Sequence, residues 1–155
     1  MTHPLFEQHR ATLEGALNAI ATRGYWSAYA EMPSPKLYGE TAPDDGKRAF
    51  EAHLGKPFEL GQPGQSGWHG GESSPYGVAL DVSYPVCDPE ALIAAGLEAM
   101  KGWQAVGADG RTGICLEILD RLNKQSFELA HAVMMTTGQG WMMAFQAGAP
   151  HAQDR

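Results

Sequence analysis

Asp88-Pro89-Glu90 opens the stretch that decides the fold of this chain. Asp is favoured as a helix N-cap, Pro suits the first helical position, and an acidic residue in the first turn complements the helix dipole. Apolar residues then recur at helical spacing, and together they would form one side of a helix: Leu92, Ala95, Ala99, Trp103 and Val106. The stretch therefore predicts a helix over 89–106.

Similar apolar spacing predicts further helices on both sides of this one, near 4–23, 44–54, 111–136 and 140–147. Thr2 is a candidate cap for the first of them and Gly24 its natural end. The segment Gly107–Gly110 predicts a short link between helices. Region 111–136 is either one long helix or two helices joined near Asn123, and Thr137-Gly138 should end it.

The middle of the chain, between Met32 and Pro89, is rich in Gly and Pro and predicts loops. Within it, strict alternation predicts a half-buried strand over 76–84 that stops at Pro85, with one face made of Tyr76, Val78, Leu80, Val82 and Tyr84. A second short strand is predicted near Trp68. The predicted fold class is thus α-dominated α+β, with several helices and one or two short strands around 67–84.

The charge balance of the chain excludes some classes of partner. Eleven basic and eighteen acidic residues give a formal net charge of −7, and no block of Lys or Arg interrupts the acidic excess. Such a surface repels phosphate backbones and anionic lipids, so we expect neither nucleic acid nor membrane as a partner. The N-terminus lacks a secretory pattern, and two isolated cysteines suit a reducing compartment, which predicts a cytoplasmic location.

Two cysteines and six histidines are the residues that could carry chemistry. Cys115 has no base at helical spacing, so packing in an at least partly buried position is expected. Cys87 lies at a helix N-terminus, but Asp88 beside it offsets the benefit to a thiolate, so no reactive role is expected. The histidines are His3, His9, His53, His69, His131 and His151. No two of them have the spacing that places imidazoles on one helical face, so hydrogen bonding is expected rather than metal binding.

Two Gly-rich segments and one Met-rich segment also have alternative interpretations. Trp68–Glu72 is similar to the His-Gly-Gly oxyanion loop of esterases, but the Gly-x-Ser-x-Gly elbow is missing, which favours a simple turn. Gly61–Gly67 lacks the Lys-Ser/Thr ending of a phosphate loop. An apolar cluster near the C-terminus predicts either core packing or a docking surface, and it comprises Met134, Met135, Trp141, Met142, Met143 and Phe145.

The order of these motifs resembles the N-terminal region of the aldehyde dehydrogenase superfamily. A Gly70-Gly71-Glu72 turn precedes the Ala-rich helix ending near Trp103, and an Arg-led helix, a Glu-Leu-Ala stretch and a Thr-Gly-Gln turn follow it. The sequence is similar to the phenylacetic acid degradation (PaaN) type in particular. Three segments carry this similarity: Met32–Pro43, Ser74–Gly77 and Ala144–Arg155.

This resemblance implies the N-terminal part of an aldehyde dehydrogenase fold. Residues 1–66 would form a helical extension with Pro/Gly-rich loops, and residues 67–155 would begin the dehydrogenase-like domain. The family's nucleophilic Cys, water-activating Glu, oxyanion Asn and nucleotide-binding Lys would all lie further along the parent chain. The resemblance therefore assigns no catalytic, cofactor-binding or metal-binding residue to this chain, and the chain alone should be inactive.

For the full-length protein, the resemblance implies NAD(P)-dependent oxidation of an aldehyde, with a semialdehyde from ring opening as substrate. The expected partners are the rest of the parent polypeptide or another subunit, in a homo-oligomer. The alternative is a non-catalytic helical module that self-associates or binds a partner through its Met/Trp-rich end.

Overall fold

The computed structural model of the chain describes residues 3–153 and confirms the α-dominated α+β class. Along the chain, one antiparallel pair of strands separates four N-terminal helices from five later ones within the described residues. The elements are α1 (Pro4–Gln8), α2 (Arg10–Thr22), α3 (Pro35–Tyr38), α4 (Ala42–Glu51), β1 (Gln65–Gly70), β2 (Ser83–Cys87), α5 (Pro89–Ala105), α6 (Gly107–Lys124), α7 (Ser126–Thr137), α8 (Trp141–Gly148) and α9 (Pro150–Gln153).

The predicted helix over 4–23 is two helices, because the backbone leaves helical geometry at His9 (φ −103°, ψ 10°). The His9 side chain at this turn contacts α6, where its Nε2 lies 2.8 Å from Glu117. The predicted cap Thr2 lies outside the described residues. His3 caps α1 instead, because its Nδ1 accepts a hydrogen bond from the Leu5 amide at 3.3 Å.

The helix start at Asp88 is confirmed, and its carboxylate accepts a hydrogen bond from the Glu90 amide at 3.1 Å. The predicted link 107–110 is wrong, since these residues form the first turn of α6 and only Val106 separates α5 from α6. Gly107 makes this tight connection possible with a φ of 80°. Of the two alternatives for region 111–136, the structure shows two helices, α6 and α7, which meet at Gln125. Helix α7 ends at Gly138, as predicted.

The predicted strand over 76–84 is wrong, whereas the strand near Trp68 is confirmed as β1. Segment 76–84 begins with a turn at Tyr76 and a bend at Gly77, and its one bridge pairs Ala79 with Ser73. A left-handed φ of 50° at Asp81 then interrupts the extended path before β2. The second strand comes later and contains Pro85, which pairs with Trp68. A two-stranded sheet tolerates this proline since each strand is an edge and one of its sides needs no hydrogen-bond donor.

Two clusters of buried side chains hold the helices together. The first joins Phe50 of α4 to Leu80 and Val82, and the partly buried Ala132 and Met135 of α7 pack against it. The second joins Phe127 and Ala130 of α7 to Phe145 of α8. Helices α4 and α7 contribute side chains to both clusters, so they form the centre of the fold.

Candidate functional site

The structure separates the two cysteines from any catalytic arrangement. Cys87 ends β2 and is half-buried, with its Sγ 3.9 Å from the carbonyl oxygen of Pro85. The expectation that Cys115 is at least partly buried is wrong, because its side chain is exposed. Gly113 faces α1, and a residue two positions further along a helix points roughly 200° away. Cys115 therefore faces solvent, without a packing role.

The histidines are dispersed, and each of three pairs with a glutamate that is distant in sequence. His9 Nε2 lies 2.8 Å from Glu117, His53 Nε2 lies 2.9 Å from Glu128, and His151 lies 3.5 Å from Glu31. Within residues 3–153, no three His, Cys, Asp or Glu side chains are grouped in a way that could hold a metal ion. Hydrogen bonding is thus the observed role of His9 and His53.

His131 has a different environment, between two aromatic rings. Its ring centroid lies 4.6 Å from that of Trp141 and 6.1 Å from that of Phe50. Burial lowers the pKa of His131, and the positive charge of Lys47 acts in the same direction. The imidazole is therefore neutral at pH 7 and serves as a packing group between the two clusters.

Glu117 on α6 is the centre of the most extensive polar network. Its carboxylate accepts hydrogen bonds from Arg121 Nε at 2.7 Å and Gln8 Nε2 at 3.0 Å, and it lies 2.8 Å from His9 Nε2. The hydrogen bonds from Arg121 and then His9 lower the pKa of Glu117 to about 2. This network joins α6 to the junction of α1 and α2. Its Glu117–Arg121 pair has the local i,i+4 spacing, whereas its contacts with Gln8 and His9 have no local signal.

The low pKa of Glu117 predicts a specific loss of stability in acid. Because the folded-state value of about 2 lies below the ordinary value of 4.5, the stabilisation is present above that ordinary value and disappears as the pH falls toward the folded value. A Glu117→Gln variant should therefore lose less stability over this range. Urea unfolding followed by circular dichroism, between about pH 5 and about pH 2.5, measures the two slopes.

Arg121→Gln provides a graded comparison, because Arg121 is the largest cause of the lowered pKa. Its slope should fall between those of the wild type and Glu117→Gln. Equal slopes for the wild type and Glu117→Gln would contradict a role for this network in acid stability.

The Met-rich segment near the C-terminus could form either core packing or a docking surface, and its residues are divided between core and surface. Phe145 is fully buried and Trp141 is half-buried, so these rings belong to the second core cluster. Met142 and Met143 are exposed on the other side of α8. The segment is therefore part core and part surface.

Helix α5 presents an apolar surface that no other described element covers. Ile93, Leu97 and Met100, on one side, are 63%, 61% and 49% exposed. Leu92, Trp103 and Val106, on the adjoining side, are also exposed. Together they form an apolar stripe that spans roughly 200° of the helix. Within α5, which the structure describes in full, no residue is buried.

The predicted apolar side of α5 shares only Leu92, Trp103 and Val106 with this apolar stripe. The prediction did not include Ile93, Leu97 and Met100, although their spacing of four and three residues also indicates one side of a helix. The opposite side carries an ion pair between Lys101 and Glu98 at 2.6 Å. The helix is therefore amphipathic, with its apolar side turned to solvent.

No helix in residues 3–153 is both long enough and apolar enough to span a lipid bilayer. The apolar stripe of α5 adjoins a side that carries the Lys101–Glu98 ion pair, and apolar patches bordered by polar residues are typical of interaction sites.

Neither the Gly-rich segment 61–67 nor the N-terminus of α5 has the arrangement of a dinucleotide site. Such sites use a Gly-rich turn that leads from a strand into a helix N-terminus. Here the Gly-rich segment 61–67 leads into β1 of an antiparallel pair. At the N-terminus of α5, the carboxylate of Asp88 occupies the position where a phosphate would bind.

No protein-family model and no curated protein matches the chain. Among solved structures, it is similar to the crystal structure of an NAD-dependent aldehyde dehydrogenase from Burkholderia multivorans, with 59% identity and a TM-score of 0.94. The match covers 99% of this chain and 27% of that one. The architecture described above, helices around a two-stranded sheet, is therefore the fold of a fragment of an aldehyde dehydrogenase.

Proposed function

We propose that this chain acts as one part of an NAD(P)-dependent aldehyde dehydrogenase, of the type that functions in phenylacetic acid degradation. The similarity over 99% of the chain to an NAD-dependent aldehyde dehydrogenase carries this proposal. The assembled enzyme would oxidise an aldehyde or semialdehyde in the cytoplasm, using NAD or NADP. The division into an extension over 1–66 and a dehydrogenase-like part over 67–155 stays a prediction.

The part played by this chain is structural in this proposal. In this proposal the catalytic residues and the dinucleotide site belong to the remainder of the enzyme, since the match covers 27% of the similar structure's chain. The apolar stripe of α5 supports this division of roles, because a stripe of this width on a helix is normally covered by protein. The expected partner is the rest of the parent polypeptide or another subunit of a homo-oligomer.

Complementation tests this proposal directly. The chain is mixed or co-expressed with a polypeptide that comprises the part of the Burkholderia multivorans enzyme outside the match. We expect each part alone to be inactive, and the mixture to form reduced cofactor from NAD and an aldehyde. Leu97→Asp should lower that activity at least about tenfold, because docking would then bury an unpaired charge.

Lys101→Asp is the matched control, since it places the same side chain on the charged side of α5, where Lys101 is 75% exposed. It should leave complementation nearly unchanged. Turnover by the chain alone, or no gain in the mixture, would contradict the proposal.

A second candidate function is self-association through the exposed part of the Met-rich segment. It is favoured by the exposure of Met142 and Met143 beside a buried aromatic cluster. Sedimentation velocity of the chain alone distinguishes the two functions. A concentration-dependent dimer that Met143→Asp converts to monomer would support self-association, whereas a compact monomer would argue against it.

A further inference from the structure

A cavity of about 280 Å³ lies between α4, α7 and the segment that leads into β2. Most of its wall is apolar. This apolar part is formed by the side chains of Phe50, Phe58, Leu80, Val82, Leu129 and Ala132. An apolar cavity of about 150 Å³ accepts one benzene molecule. The cavity therefore has room for a single aromatic ring with a short substituent.

The aromatic side chains of the wall are arranged around this space. The ring centroid of Phe58 lies 5.2 Å from that of His53 and 6.2 Å from that of Tyr84, and both pairs are tilted. Aromatic rings prefer such edge-to-face and tilted neighbours over a parallel sandwich. An aromatic ring thus complements this wall better than an aliphatic chain of the same volume.

The polar groups of the wall have an excess of negative charge. Glu128 is paired with His53, whose Nε2 lies 2.9 Å from the carboxylate. Glu72 accepts a hydrogen bond from the Tyr84 hydroxyl at 3.5 Å. Across residues 3–153, no basic side chain lies within ion-pair distance of Glu72. Burial raises the pKa of Tyr84, and the charge of Glu72 acts in the same direction, so the phenol stays neutral and offers no counter-charge.

We propose that this cavity binds a small aromatic amine in its protonated form, with the ring against Phe58 and Leu129 and the ammonium group at Glu72. An ammonium group supplies the counter-charge that Glu72 lacks, and the ring removes apolar wall from water. The positive charge also gains from the faces of the adjacent aromatic rings. Aromatic carboxylates are excluded by the same acidic groups.

Benzylamine is the probe for this site, and the full chain is the sample. Titration followed by calorimetry or by ligand-observed NMR should show one saturable site, with a dissociation constant on the order of 1 mM for so small a ligand. Benzoate, which has the same ring and the opposite charge, should bind at least about tenfold more weakly. Benzyl alcohol, which is neutral, should lie between them.

Three variants identify the site. Glu72→Gln should weaken benzylamine about tenfold and leave benzyl alcohol unchanged, because only the charge pairing is lost. Ala132→Leu, which fills the cavity, should remove the binding of both ligands while the helical circular dichroism signal is retained. Glu98→Gln removes an exposed carboxylate of α5 and should change neither.

Two results would overturn the proposal. The first is the absence of saturable benzylamine binding to the folded chain. The second is an equal effect of Glu72→Gln and Glu98→Gln, which would mean that the overall charge of −7 attracts the cation without a site. Neither result depends on whether the chain completes a dehydrogenase, so the outcome is independent of the complementation experiment.

Discussion

Replacement of Phe145 by alanine is expected to lower the free energy of unfolding by about 3–5 kcal/mol. Phe145 is 0% exposed, and its ring centroid lies 5.1 Å from that of Phe127 and 5.5 Å from that of Tyr38. The variant would lose buried apolar area and three ring contacts, the third with Trp141 at 6.4 Å, and would leave a cavity that the surrounding helices fill only in part. Urea unfolding followed by circular dichroism at neutral pH measures this loss.

Met143→Ala is the matched control for this prediction, because Met143 lies on the same helix and is 60% exposed. Its effect should stay within about 0.5 kcal/mol. Comparable losses for the two variants would show that α8 does not pack in the way described. Domains of this size are stable by only about 5–15 kcal/mol. The Phe145→Ala chain should therefore approach the limit of folding.

The second large effect is expected from Gly46→Ala, which should destabilise the chain by about 2–3 kcal/mol. Gly46 lies where α4 crosses α7, and a Cβ at this position would meet the Cβ of Phe127 and lie 2.8 Å from the Glu128 amide nitrogen. A backbone atom cannot move aside unless the two helices separate. This cost exceeds the roughly 1 kcal/mol that alanine gains over glycine inside a helix.

Gly96→Ala isolates the helix-propensity contribution, because a Cβ at Gly96 would have no neighbour within 4 Å. This variant should be more stable than the wild type by about 0.5–1 kcal/mol. The same substitution is thus expected to have opposite signs at the two positions. Thermal unfolding of both variants beside the wild type is a sufficient measurement, and a stabilised Gly46→Ala would contradict the close crossing of α4 and α7.

Where the sequence contains a local signal, the fold could be predicted. The Asp88-Pro89 start of α5 and the Gly138 end of α7 depend on neighbouring residues only, and both are confirmed. The strand over 76–84 failed for the opposite reason. Its alternation is real, but Leu80 and Val82 are buried in the first core cluster while Tyr76 and Val78 are exposed. The left-handed backbone at Asp81 is not visible in a hydrophobic pattern.

The candidate sites were less predictable, because they depend on contacts between distant segments. The network around Glu117 joins residues that are 108 and 109 positions apart. The exposure of Cys115 follows from the approach of Gly113 to the backbone of Phe6, which periodicity cannot reveal. The predicted apolar side of α5 contained Leu92, Trp103 and Val106 but not Ile93, Leu97 and Met100. A hydrophobic pattern indicates how wide an apolar side is, but it does not identify the protein surface that covers it.

The unequal packing of the helices has a consequence for how the chain opens. Helices α4 and α7 share both core clusters, so their amide hydrogens can exchange with solvent only when both clusters come apart. Helix α5 has no buried residue, and most of the stability of a helix within a protein comes from the packing of its apolar side. Its amides therefore exchange through a local opening that leaves the rest folded. The free energy of opening is therefore expected to be lower for α5 than for α4 and α7.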